Sequence, residues 1–210
     1  MNWGSVSHDP VRGLVIAPTN RLAFALALVP RERFQRERAT LTQPRREIGA
    51  QRGTPYLMYR EALLSPQGLP CNPPPWGSLT AVDLATGDVR WEVPLGSLPE
   101  LSAVPQAQDW GSVNFGGALV TAGGLVFIGA ARDTVLRAFD IDTGKVVWSA
   151  ELPAGAQATP MTYRARSGKQ FVVIAAGGHS SLRTKMGDYV VAFALPEWPL
   201  LSQRHSQTAG

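Results

Sequence analysis

The chain has 210 residues, room for one ordinary domain or part of a larger one. Hydrophobic residues are 44% and charged residues 17%, apolar enough to build a core, which excludes a disordered chain. The net charge of +4 is local, and the single cysteine, Cys71, excludes an internal disulfide framework or a Cys-rich zinc site.

In chain order, residues 14–17 read as a short strand. Residues 22–30 (LAFALALVP) are the longest apolar stretch. Nine residues are too few for a membrane helix, which needs about 20. Residues 1–4 lack the basic and apolar regions of a secretory signal, so the chain is expected either to stay in the cytoplasm or to begin inside a longer protein. Residues 31–52 hold seven arginines against three glutamates, which accounts for the whole net charge. This stretch is expected as a solvated loop insertion, with helical character only in residues 31–38, after Pro30. A basic segment suits an anionic membrane surface or nucleic acid. Interleaved glutamates and the lack of stacking aromatics argue against nucleic acid. Further on, residues 118–122 and 125–129 flank Gly123-Gly124 as a hairpin. Residues 135–139, 146–148, 171–176 and 189–194 are apolar, β-branched or aromatic runs that read as strands.

An internal repeat organises these strands. Ala81-x-Asp83-x-x-Thr86-Gly87-x-x-x-Trp91 recurs as Ala138-x-Asp140-x-x-Thr143-Gly144-x-x-x-Trp148, an offset of 57 residues. A W-G-S-[VL] echo begins at Trp3, Trp76 and Trp110, and a degenerate third copy of the long motif starts at Val191. Asp83 and Asp140 are expected to end strands and accept backbone N–H bonds in the turn. Gly87 and Gly144 supply the positive φ of a bulged hairpin. The tryptophan four residues on packs between neighbouring sheets. Glycine and proline are about 18% of the residues, above the roughly 12% of average usage, which suits short strands and many turns. The fold class expected is all-β, a partial β-propeller of three to four blades in units of about 57 residues. Residues 1–196 form the propeller segment and 197–210 an unrelated tail.

The chain resembles the C-terminal part of the membrane-associated quinoprotein glucose dehydrogenases and their quinate and polyol dehydrogenase relatives. The resemblance rests on Leu69-Pro70-Cys71-Asn72-Pro73-Pro74-Pro75-Trp76-Gly77, on residues 120–130 (VTAGGLVFIGA), on 157–163 (QATPMTY), on 175–179 (AAGGH) and on 184–189 (TKMGDY). The repeat is similar to the tryptophan-docking motif of their eight-bladed propellers. The resemblance implies pyrroloquinoline quinone (PQQ) and calcium at the propeller axis. It implies oxidation of a sugar or polyol hydroxyl on the periplasmic face of the inner membrane, with ubiquinone as electron acceptor. The catalytic base, most calcium ligands and the membrane helices are expected upstream of Met1, so no catalytic residue and no metal ligand is assigned here.

Three residues are then expected at the cofactor and one at the substrate. Asn2 matches an element beside the PQQ ring, where an amide can both donate and accept. Trp110, with Asn114-Phe115-Gly116-Gly117, resembles a segment facing the cofactor channel, where glycines would let backbone approach a flat ligand. Asp133 is similar to a family aspartate near the cofactor, whose cationic partner is expected upstream. His179, after Gly177-Gly178, resembles the histidine of the sugar site, since imidazole can bond a hydroxyl in either protonation state. Arg183 departs from the family's small residues and so bears on substrate choice. Two other readings are a non-enzymatic propeller scaffold, which would lack the 71–76 and His179 motifs, and an inactive truncated product.

Overall fold

The computed structural model describes residues 4–38 and 46–195. Asn2, Trp3 and the tail lie outside them. Among the described residues, the regular elements are strands apart from one short helix, α1 (Arg31–Arg36), and three 3₁₀ turns.

The first sheet joins β1 (Ser7–Asp9), β2 (Leu14–Asn20), β6 (Gly77–Asp83) and β7 (Val89–Pro94) in that order. The insertion between β2 and β6 builds its own sheet from β3 (Phe24–Pro30), β4 (Arg46–Ala50) and β5 (Tyr56–Ala62), in the order β3-β5-β4. The second large sheet runs β8 (Leu119–Val120), β9 (Leu125–Ile128), β10 (Val135–Asp140) and β11 (Val146–Glu151) as consecutive antiparallel neighbours. The third has β12 (Met161–Arg164), β13 (Gln170–Ala176) and β14 (Tyr189–Ala194). No sheet closes on itself among the described residues.

The basic stretch is thus not a loop. Of its described residues, 31–36 are helical, 46–50 are strand β4, and both belong to an insertion wider than the stretch itself. The apolar run at residues 22–30 is mostly strand β3. Its alternation of large and small residues was the available signal.

The repeated motif folds as its residues demand. Asp83 Oδ1 accepts N–H bonds from Ala85 (2.8 Å) and Thr86 (3.3 Å). Asp140 Oδ1 accepts from the Thr143 N–H (2.9 Å) and hydroxyl (2.7 Å). Gly87 and Gly144 take φ of 78° and 70°, where a side chain is strained. Trp91 then reaches across to the next sheet. Its Nε1 donates to the Ile141 carbonyl at 2.8 Å. A Cβ on Gly144 would lie 2.7 Å from the Trp91 ring, so the glycine also makes room for it.

Between the first and second sheets lies the larger core, including Ile16, Leu79, Val126, Ile128 and Phe139, with Trp91 packed against it. A smaller core between the second and third sheets includes Leu136, Leu152 and Ile174, flanked by Phe193. Trp148 meets Phe127 and Phe193 edge-on but keeps 38% of its surface exposed. It docks less completely than Trp91.

Candidate functional site

Two of the W-G-S echoes, those at Trp76 and Trp110, pack against each other. Trp76 N donates to the Trp110 carbonyl at 2.8 Å, and the two indoles meet edge-to-face at 5.5 Å. A Cβ on Gly77 or on Gly111 would overlap the backbone of the other segment, so the two strips approach as only glycine allows. Gly116 and Gly117 behave likewise. A Cβ on Gly116 would lie 2.5 Å from the Gln157 carbonyl, and one on Gly117 would strike Gly4 and Thr159. The expectation that these glycines open the backbone to a flat ligand is therefore corrected. They are spent on neighbouring protein backbone.

Three loops meet at one end of the sheets. The Arg132 N–H donates to the Ser112 hydroxyl (3.0 Å), and Arg132 Nε donates to the Leu182 carbonyl (3.0 Å). This joins the Trp110 segment to the loop of Asp133 and to the loop of His179. Arg132 also pairs with Glu100.

Asp133 is locked on every side. Its Oδ2 accepts from Ser97 N (2.8 Å), Ser97 Oγ (3.2 Å) and Arg137 Nη2 (2.7 Å). Its Oδ1 accepts from Val135 N (3.2 Å) and Arg137 Nη1 (3.0 Å). Within the described residues its cationic partner is Arg137, four residues on, in a two-point guanidinium–carboxylate pair with both side chains largely buried. The sequence held both residues, but a spacing of four signals contact only on a helix.

His179 follows Gly178, whose φ of 75° turns the chain. Its ring meets Phe115 edge-on at 5.1 Å. Its Nδ1 is buried and has no hydrogen-bond partner, although buried polar atoms are almost always paired. The sequence did not single out the side chains that hold this loop. Gln157 Nε2 donates to the Ala131 carbonyl (2.7 Å), its Oε1 accepts from the Thr184 hydroxyl (3.1 Å), and that hydroxyl accepts from His179 N (2.7 Å).

A groove of about 380 Å³ opens at this end, lined by Asp133, Thr134, Glu151, Arg183 and Lys185 among others. Trp110 and His179 do not line it. Asn2 lies outside the described residues. Among those residues no three His, Cys, Asp or Glu side chains converge as a metal site.

The family model for the glucose/ethanol/alcohol dehydrogenase β-propeller domain, the PQQ domain, matches residues 1–172. The chain belongs to this quinoprotein family. It is 44% identical to quinoprotein glucose dehydrogenase A of Acinetobacter calcoaceticus and to quinoprotein glucose dehydrogenase of Escherichia coli K12, in each case over 93% of this chain and 25% of the relative. It is 40% identical to a probable quinate dehydrogenase (quinone) of Xanthomonas campestris pv. juglandis, over 94% of this chain and 26% of the relative. The chain therefore spans about a quarter of these curated relatives. Among solved structures, quinohemoprotein alcohol dehydrogenase from Comamonas testosteroni is similar at a TM-score of 0.54 and 24% identity, over 92% of this chain and 26% of that one. That likeness concerns the fold.

PQQ is the family's cofactor. The residues present fit it as one wall of a site. An anionic quinone needs polar partners at its edge, and the cations Arg183 and Lys185 that line the groove are of that kind.

Proposed function

We propose that this chain supplies one wall of the active site of a PQQ-dependent dehydrogenase that oxidises a hydroxyl of glucose or of a related sugar or polyol and passes the electrons to ubiquinone. One observation carries the reading. His179 holds a buried, unpartnered Nδ1 in a loop tied through Thr184, Gln157 and Arg132 to the loop of Asp133. His179 as a residue is only half-buried, so a hydroxyl can approach it from the open side while Nδ1 faces the protein. The family match and the names of the relatives support the same chemistry.

In this reading PQQ, when bound, supplies the acceptor for the hydride. His179 binds and orients a substrate hydroxyl. Asp133, its charge matched by Arg137, fixes a polar edge beside the cofactor without adding net repulsion. Trp110 and Asn2 belong to the cofactor side. The base that takes the hydroxyl proton and the calcium ligands come from other parts of an eight-bladed propeller, at the periplasmic face of the membrane. The 210 residues alone do not oxidise glucose, because proton transfer and electrostatic stabilisation need groups preorganised all round the reacting centre.

The test replaces the matching quarter of the Escherichia coli relative by this chain. With PQQ and calcium the chimera is expected to oxidise a sugar or polyol in a dye-linked assay. His179→Ala should then lower turnover more than PQQ retention, read by fluorescence titration. A folded chimera with no activity on any sugar or polyol overturns the proposal. So does activity that His179→Ala leaves intact. The isolated chain is expected to show no turnover, and no PQQ binding tighter than about 0.1 mM.

A further inference from the structure

The loop of His179 uses up that residue's backbone and leaves its ring free. The His179 N–H donates to the Thr184 hydroxyl at 2.7 Å, and the Thr184 N–H donates to the His179 carbonyl at 3.3 Å. One residue thus pairs both main-chain groups of His179. Gly178 lets the two arms of the loop close up, since a Cβ there would strike the Lys185 carbonyl oxygen. The imidazole meets the Phe115 ring at 86°. The residue is half-buried, and the burial is uneven. Nδ1 is enclosed with no hydrogen-bond partner. Nε2 forms no hydrogen bond among the described residues and is not enclosed, so it stands on the open side of the ring.

The two nitrogens are not equal places for a proton. A neutral imidazole has one N–H and one lone pair, and the surroundings decide which nitrogen carries which. A proton on Nδ1 would bury an N–H with no acceptor oxygen. The Phe115 ring offers such a donor only an N–H···π contact, a weak substitute. A proton on Nε2 puts the N–H where water or a ligand accepts it, and encloses only a lone pair. Among backbone groups, orphaned buried N–H donors are rarer than under-used carbonyl acceptors, and a ring N–H obeys the same physics.

We infer that His179 carries its proton on Nε2 and serves the site as a hydrogen-bond donor to a substrate oxygen, not as a proton acceptor. The tautomer stands on the surroundings of the ring alone, whereas the donor role rests on the proposed catalytic function. A hydroxyl held in this way accepts through its oxygen and keeps its own hydrogen for a base supplied elsewhere. The class of group recognised follows. A hydroxyl, ether or carbonyl oxygen accepts from Nε2–H, and an ammonium in the same place has no lone pair to offer.

The 210-residue chain, labelled with ¹⁵N at its histidines, tests the tautomer by long-range ¹H–¹⁵N correlation at about pH 8.5, where free imidazole is neutral. The signals that vanish in His179→Gln belong to His179. A protonated, pyrrole-type Nε2 beside a pyridine-type Nδ1 is expected. The reverse pattern, with Nδ1–H on the Phe115 face, overturns the inference, and so does the averaged pattern of a free histidine. In the chimera, His179→Gln sets an amide N–H near the place of Nε2, whereas His179→Asn sets one near Nδ1. The first variant should exceed the second about tenfold in kcat/KM, the worth of one hydrogen bond to the substrate. Equal activities reject the donor role. A chimera inactive in every form removes the catalytic reading and the donor role with it, while the spectrum still decides the tautomer.

Discussion

The Thr184 hydroxyl donates to the side-chain oxygen of Gln157 at 3.1 Å, across 27 residues of sequence, and both side chains are buried. Through this bond the Ala131 carbonyl, beside Asp133, and the backbone N–H of His179 belong to one network. The two loops cannot shift independently without breaking a buried hydrogen bond.

Gln157→Ala should therefore cost about 1–3 kcal/mol, because it strands the buried Ala131 carbonyl and deprives the Thr184 hydroxyl of its acceptor. Urea denaturation measures this. In the chimera the same substitution should reduce turnover through the His179 loop, while Gln157→Glu retains an acceptor for Thr184 but loses the donor to Ala131. A Gln157→Ala protein as stable as the parent would show that the network contributes nothing.

The two docking tryptophans should rank unequally. Trp91→Ala removes a ring set against Gly144 and bonded to the Ile141 carbonyl, and should cost about 3–5 kcal/mol. Trp148 is 38% exposed, so Trp148→Ala should cost about half as much. Equal losses in a denaturant titration would reject the ranking. Replacing Arg33 and Arg36 by Gln should leave the same transition nearly unmoved.

Acid should loosen the contact between the first and second sheets. The Asp9 carboxylate accepts from the Arg12 N–H (3.1 Å), the Arg12 guanidinium (3.0 Å) and the Val11 N–H (2.8 Å). These bonds, the Arg12 N–H foremost, hold its pKa below the ordinary value against the opposing effect of burial. Arg12 in turn pairs with Asp142 at 2.9 Å in the repeat turn of the second sheet. A carboxylate with a depressed folded pKa stabilises the fold above its unfolded value, about 3.9, and loses that contribution as pH falls through the lower folded value. Stability should thus be level above about pH 5 and decline below about pH 4. Asp9→Asn should lower the plateau and flatten the decline. An unchanged acid limb would show that Asp9 is not its source.

Arg183 has φ of 54°, the left-handed region, at the end of the short turn after His179. An L side chain there costs roughly 1 kcal/mol, so Arg183→Gly should raise Tm by about 2–4 °C. In the chimera it should also shift preference among sugars and polyols, since Arg183 lines the groove. A lower Tm together with an unchanged substrate profile would leave the arginine without either role.

The sequence by itself determined what is local. The Asp-to-N–H bonds of the repeat turns span two or three residues, and Gly87 and Gly144 take a conformation that chemistry alone favours, so both turns were readable at an offset of 57. Strands β10, β13 and β14 fall where apolar, β-branched runs placed them, because a pleated strand asks little beyond its own side chains. The site was legible only as a set of candidates. Asp133 and His179 could be named, but the Asp133–Arg137 pair depends on how the loop before β10 turns back over that strand, and the Gln157–Thr184 bond arises from loops brought together by packing between the second and third sheets. The glycines at 116 and 117 show the same division. Their freedom was written in the sequence, yet whether a ligand or a neighbouring backbone used it was decided by the blade that packs beside them. Strand β3 is the sharpest case: the run FALALVP gives an apolar edge to any fold, and only the position of α1 on the opposite face left Leu26 and Leu28 exposed. Turns and strands follow from nearby residues, whereas burial, pairing and exposure depend on which distant surface arrives, and only the tertiary structure decides that.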